Sequence, residues 1–256
     1  MRQEAISLLK VKNQTEQSAE LYISGQIVDD VEGGWIKRWG IDDDVTGYDF
    51  PQKVKDALKE VEDKELTVYI NSYGGNVFAG VALANMIRRR KNKTICVVDG
   101  ICASIATQIF FMGDECKIPS NCYLMIHKPY CDLSGNADDL RKAADTLDTL
   151  QRGLEKTYQN KAKEGITTEI ITDLVNKESW LTGAECADYF NVEILEPVKI
   201  LNCAGSLEKL KALKYKNIPK GIQFDNGGGG ENEIQDIERR RQKIKIALAR
   251  AKGALI

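Results

Sequence analysis

Hydrophobic and polar positions along the chain switch between a period of two and a period near three and a half. The stretch Leu21-Tyr22-Ile23-Ser24-Gly25-Gln26-Ile27-Val28 is rich in β formers and ends in Asp29-Asp30, which predicts a first strand. A polar loop carrying Trp35 and Trp39 follows. From 50 to 61 the apolar Val54, Ala57, Leu58 and Val61 recur at helical spacing, and 66–70 then reads as a buried strand. The alternation continues with a helix over 77–90, a strand over 94–98, an apolar helix over 104–112 and a strand over 123–126. Strands and helices alternating at this spacing predict an α/β domain with a largely parallel, buried sheet. Functional groups in such folds gather where strands end and helices begin, and 71–75, 100–104 and His127 all fall at such junctions.

Beyond them, 136–163 predicts one long amphipathic helix, with Leu140, Ala144, Leu147, Leu150, Leu154 and Tyr158 on a stripe, charges opposite and Gly153 as a weak point. Thr167 or Thr168 caps a shorter helix towards Val175, Thr182 or Gly183 opens another ending near Phe190, and 192–201 is strand-like. Composition changes after Gly205. Four consecutive glycines, Gly227 to Gly230, predict a hinge, and Ile234, Ile237, Ile244, Leu248, Ala251 and Leu255 then mark an amphipathic helix. The expected organisation is an N-terminal segment 1–20, a main domain 21–205, a linker 206–230 and a C-terminal helix 231–256. A leashed helix of this kind needs a surface to pack on. Self-association is preferred to nucleic-acid contact despite Arg239-Arg240-Arg241.

Composition narrows the chemistry. With 43% hydrophobic and 29% charged residues and a formal net charge of -2, the 256 residues read as an ordinary globular chain with no electrostatic footprint for nucleic acid. A single histidine, His127, excludes zinc sites built on several histidines. Seven cysteines form an odd set with no C-x-x-C pair, which points to a reduced, cytoplasmic setting rather than a disulfide framework or a zinc knuckle. Residues 1–12 lack the apolar core of a signal peptide, and the most apolar stretch, 97–113, is interrupted by Asp99, Gln108 and two glycines. Neither export nor a membrane span is expected.

Asn71-Ser72-Tyr73-Gly74-Gly75 ends a strand and opens a helix, so its glycines expose amides that can hold an anion or oxyanion, although such a turn alone is more often just a turn. Gly100-Ile101-Cys102-Ala103-Ser104 repeats the arrangement and ends in a serine, which is either an N-cap or a nucleophile. Cys102 is a weaker rival nucleophile, because small buried cysteines are common. His127 follows the next strand. Serine, histidine and glycine amides at neighbouring strand ends supply three parts of an acyl-transfer site.

These residues resemble a known family. Asn71-Ser72-Tyr73-Gly74-Gly75, Ala79-Gly80, Gly100-x-x-Ala103-Ser104, Met125-Ile126-His127-x-Pro129 and Trp180-Leu181-Thr182-x-x-Glu185-Cys186-Ala187 stand in the order of the Clp protease proteolytic subunit (ClpP), peptidase family S14. The pattern is most like the phage and prophage branch, the head maturation proteases, and spans about 21–198. The resemblance implies a ClpP/crotonase-like fold and a serine endopeptidase without cofactor, with Ser104 as nucleophile, His127 as general base, and the Gly75 and Ile105 amides as oxyanion hole. The acid position falls on Glu178, one methylene longer than the family's aspartate, with Asn176 and Asp173 as alternatives if the register slips. Tyr73 replaces the usual proline, which should loosen the turn, and Ile105-Ala106 replaces the usual Met-Gly. The resemblance further implies a homo-oligomer in which rings of seven stack into a chamber through the helix 136–163, polypeptide substrates such as capsid or scaffold proteins, and a separate AAA+ ATPase. The chain itself has no G-x-x-x-x-G-K-[ST] loop.

Two other functions stay open at this level. One is a catalytically weak or inactive ring component or assembly scaffold, suggested by Glu178 and the leashed helix. The other is a crotonase-type acyl-CoA enzyme, which shares the fold but has no need of a serine–histidine pair. A serine–lysine enzyme of the signal peptide peptidase A type is disfavoured by the placed histidine and the lack of a membrane anchor. In the peptidase reading, an extended substrate adds as a strand between the segments after 73–75 and after His127, near 130–135.

Overall fold

Apolar runs bounded by turns become the strands of a mostly parallel sheet in the computed structural model, which describes residues 11–32, 48–49, 51–198 and 215–219. In chain order, β1 (Val11–Lys12) pairs antiparallel with β2 (Ser18–Ile23), which buries Ala19, Leu21 and Ile23 on one face. Then follow β3 (Gln26–Ile27), β4 (Tyr48–Asp49), α1 (Pro51–Lys59), β5 (Glu65–Ser72), β6 (Gly74–Gly75), α2 (Val77–Arg88), β7 (Thr94–Ala103), α3 (Ala106–Phe110), β8 (Glu115–Pro119) and β9 (Tyr123–Ile126). The chain continues through α4 (Ala137–Lys161), α5 (Thr168–Asn176), β10 (Ser179–Thr182), α6 (Gly183–Tyr189) and β11 (Glu193–Leu195).

The main sheet runs β1-β2-β5-β7-β8-β11, and the short strands β4, β3 and β6 form a second parallel sheet. Strand β7 is the branch point. Its first half, Ile95 to Val97, pairs with β8, and its second half, Ile101 to Ala103, pairs parallel with β9, which continues antiparallel into β10. Side chains on β7 alternate as a pleated strand requires. Cys96, Val98 and Cys102 join the main core with Val54 and Leu58 of α1, Leu83 and Ile87 of α2, and Ile109 and Phe110 of α3. Ile101 and Ala103 face the other way, into a smaller cluster with Tyr73, Met125 and Tyr215.

The α/β architecture with a largely parallel sheet matches the expectation, and several boundaries move. The first strand breaks at Ser24-Gly25, so that 26–27 leaves the main sheet for the second one. Strand β7 continues through Gly100 to Ala103 instead of turning near 98, because its second half finds a partner in β9. The helix expected over 104–112 is only Ala106–Phe110. Strands β8 and β10 are additions, and within the strand-like 192–201 the described residues form β11 over Glu193–Leu195, while 199–201 lie outside the described residues. The long helix agrees closely, with Asn136 as a cap whose side chain accepts from the Asp138 and Asp139 amides. Thr167 and Thr182 cap the two following helices. The C-terminal helix expected over 231–256 lies outside the described residues. No helix among the described residues is long and apolar enough to cross a membrane.

Candidate active site

Parallel pairing brings Ser104 and His127 together from positions 23 residues apart. Ala103 is registered against Met125, and the Ser104 amide donates to the Met125 carbonyl at 2.8 Å, so the serine leaves β7 beside the residue that leaves β9. Ser104 adopts φ +56°, a left-handed conformation that costs a non-glycine residue energy and recurs at functional turns. That turn decides between the two readings of its hydroxyl. The N-cap of α3 is Ile105, with no side-chain cap bond, and the Ser104 Oγ lies 2.8 Å from His127 Nε2. Burial holds the imidazole pKa below the usual histidine value, and the charge of Glu178 opposes that shift. His127 is therefore neutral at physiological pH, as a general base must be.

The turn after β5 is pinned by its own polar side chains. Asn71 Oδ1 accepts from the Ile101 amide at 3.2 Å, while the Ser72 hydroxyl donates to the Gly25 carbonyl and accepts from the Gly74 amide. Gly74 has φ +84°, and a Cβ there would sit 2.7 Å from the Ala103 carbonyl oxygen and 2.8 Å from Ser104 Cβ. A Cβ on Gly75 would sit 2.0 Å from the Ile27 carbonyl oxygen. Glycine is required at both positions because backbone meets backbone. The Gly75 and Ile105 amides thus belong to two chain segments packed against each other at Ser104. Gly80 of α2 extends this packing, since a Cβ on it would lie 2.2 Å from Ile105 Cγ1.

The ladder between β9 and β10 separates the acid candidates. Ser179 pairs with Ile126, so the next step along the antiparallel pair sets Glu178 opposite His127, and Glu178 turns there with φ +51°. Asn176 instead accepts from Gln151 of α4 at 3.3 Å, and Asp173 is ion-paired with Lys177 at 2.9 Å. Neither is directed at the imidazole. Among the described residues the hydrogen bonds to the Glu178 carboxylate come from the Lys216 and Asn217 amides, both to Oε1, at 2.6 and 2.8 Å, and its effect on His127 is through space. Cys102 is fully buried and its thiol is pushed well above its usual pKa by that burial, which withholds the thiolate a nucleophile needs.

Tyr215 is the site residue that sequence reasoning missed. It lies in the stretch expected as linker, yet it is 8% exposed, its hydroxyl donates to the Tyr73 carbonyl, and its ring meets the His127 ring edge-on at 5.2 Å. No periodicity or motif around it distinguishes it from the lysines nearby. The family model described as Clp protease matches residues 55–193, more than half of the chain and all of the site except Tyr215 and its neighbours. The chain belongs to the Clp protease family. The ATP-dependent Clp protease proteolytic subunit 1 of Streptomyces coelicolor is 31% identical over 153 residues, which cover 58% of this chain and 67% of that relative. Subunit 3 of Streptomyces avermitilis is 29% identical over 161 residues, covering 61% and 71%. Among solved structures, a ClpP1 mutant from Listeria monocytogenes superposes with a TM-score of 0.54 at 22% identity, over 70% of this chain and 91% of that one, which supports the Clp protease fold.

Proposed function

We propose that this member of the Clp protease family is a serine endopeptidase in which Ser104 attacks, His127 takes its proton and Glu178 is the acid. The observation that carries this reading is the 2.8 Å contact between Ser104 Oγ and His127 Nε2. The imidazole removes the hydroxyl proton as the oxygen adds to a peptide carbonyl, then returns that proton to the leaving amine. The Gly75 and Ile105 amides stabilise the oxyanion, and water, deprotonated by the same imidazole, releases the acyl group. The negative charge of Glu178 stabilises the transient imidazolium. The site works in a self-assembled ring or chamber on polypeptides, with phage capsid or scaffold proteins as the substrate class and a cytoplasmic setting, and the sequence pattern shared with head maturation proteases supports that refinement. Because the chain carries no phosphate-binding loop, any ATP use belongs to a separate AAA+ partner.

A second reading, a resting assembly component, is favoured by one feature: among the described residues the Glu178 carboxylate accepts from the backbone amides at 216 and 217 rather than from the imidazole. Incubation with a fluorophosphonate followed by peptide mass spectrometry separates the two. The peptidase reading expects a single adduct on Ser104, with labelling and cleavage of an unfolded protein both lost in Ser104→Ala. An unmodified Ser104 in the wild-type assembly favours the resting component, and cleavage that survives Ser104→Ala would remove the serine from the mechanism.

A further inference from the structure

One segment, Tyr215 to Asn217, touches three separate parts of the candidate site. Its tyrosine hydroxyl donates to the carbonyl of Tyr73, the residue before the two glycines whose turn carries the Gly75 amide. Its ring stands edge-on to His127 at 5.2 Å and to Trp180 of β10 at 6.0 Å. Its next two amides converge on Glu178 Oε1, and the Asn217 side chain donates to the Lys177 carbonyl at 2.7 Å, beside the left-handed turn at Glu178. A segment that merely covered apolar surface would have no reason to meet the oxyanion turn, the base and the acid with three different groups. Tyr73 does not fix its own φ as a proline would, so the tie on its carbonyl supplies the turn with an external restraint.

We propose, resting on the serine-peptidase reading, that residues 215–217 are a positioning arm of the active site, in which the Tyr215 hydroxyl fixes the Tyr73-Gly74-Gly75 turn and the Lys216 and Asn217 amides fix the Glu178 carboxylate beside His127. Tyr215 is a positioning residue. Its phenol is well suited to the task, because burial raises its pKa so far that it remains a donor throughout the working pH range. The same ring takes part in desolvating His127, whose other titratable neighbours among the described residues are Glu178, on the turn before β10, and Tyr130, at 6.1 Å on the segment after β9. The arm is also why the catalytic unit extends past the stretch matched by the family model.

The test compares full-length wild type, Tyr215→Phe and Tyr215→Ala, each checked for wild-type assembly size and circular dichroism. Two quantities are read: the rate of Ser104 modification by a fluorophosphonate, and the pH midpoint of His127 carbethoxylation by diethyl pyrocarbonate, which reacts with the neutral ring. Tyr215→Phe removes the hydroxyl, which holds the Tyr73 carbonyl and also hydrogen-bonds the Ser104 side chain, and keeps the ring, so labelling should slow by about five- to tenfold or more with the His127 midpoint unchanged. Tyr215→Ala should slow labelling further and move the midpoint up towards the ordinary histidine value. Labelling in Tyr215→Phe as fast as wild type overturns the proposal, and faster labelling in both variants would make the segment an inhibitory strap instead. If wild-type Ser104 is not labelled, the serine-peptidase reading fails on its own, and the arm is then judged by the carbethoxylation midpoint, where no movement in Tyr215→Ala overturns it.

Discussion

In the proposed peptidase, His127 is the residue on which the chemistry turns, and its environment pulls its pKa in two directions. Burial favours the neutral ring and lowers the value, while the charge of Glu178 favours the imidazolium and raises it. Burial prevails. Only the neutral ring can accept the Ser104 proton, so the rate should rise with pH through a midpoint below the usual histidine value and be level by neutrality. Glu178→Gln removes the negative charge that raises the pKa, so the midpoint should move further down while the maximal rate falls by about a hundredfold or more, since that charge no longer stabilises the imidazolium. The pH profile of peptide cleavage, measured on wild type and Glu178→Gln, checks both effects. A midpoint that stays put or moves up in the variant would mean that Glu178 is not the charge felt by the base.

At the level of elements, the site is held from behind by the long helix. The Thr107 hydroxyl of α3 donates to the Ser104 carbonyl at 2.6 Å and shares a 2.7 Å hydrogen bond with the Tyr158 hydroxyl of α4, while Gln108 donates to the Leu154 carbonyl at 3.2 Å. Tyr158 is buried among Phe111 and Phe190, and burial pushes its phenol up to about 12, so it stays protonated. Thr107→Val keeps the shape but costs the buried Tyr158 hydroxyl one of its two side-chain partners and the Ser104 carbonyl one of its donors, about 1–3 kcal/mol together. Thermal unfolding should therefore shift down by several degrees, and fluorophosphonate labelling should slow because the left-handed turn at Ser104 loses a tie. Unchanged melting would show that α4 does not brace the nucleophile turn through Thr107. Elements of this kind were legible in the sequence where periodicity is long, as in α4, or where cap residues are strong, as at Asn136 and Thr182. They were not legible where tertiary pairing sets the length. Strand β7 runs on to Ala103 because β9 offers it a partner, and β10 exists because 179–182 meets β9 in antiparallel register. The Ser104 and His127 pair was readable from strand ends. Tyr215, 142 residues from the carbonyl it binds, was not, since no local pattern encodes so distant a contact.

At the scale of the molecule, the longest helix among the described residues, α4, is half uncovered by the rest of them. The C-terminal part of α4 is anchored by Leu154, Glu155 and Tyr158, with Glu155 accepting from Gln151 and Thr172. Its N-terminal part, 137–150, carries no buried residue; Leu140 is 48% exposed, and Leu147 and Leu150 on the same stripe are only partly covered. An apolar stripe extending from a folded body on a capped helix is what an interface between copies requires, since burying it removes leucine surface worth about 1.5–3 kcal/mol per side chain from water. The assembly proposed for this family member places that stripe against a second copy. Leu140→Glu with Leu147→Glu puts two like charges on the stripe without touching the anchored half or the site. Light scattering coupled to size exclusion should then report a smaller species at the same concentration, while far-UV circular dichroism stays that of the wild type. If the double variant retains the wild-type mass, the stripe is not the contact that closes the assembly. If its mass falls while fluorophosphonate labelling of Ser104 stays at the wild-type rate, assembly and chemistry are separable, and the chamber serves to admit substrates rather than to build the site.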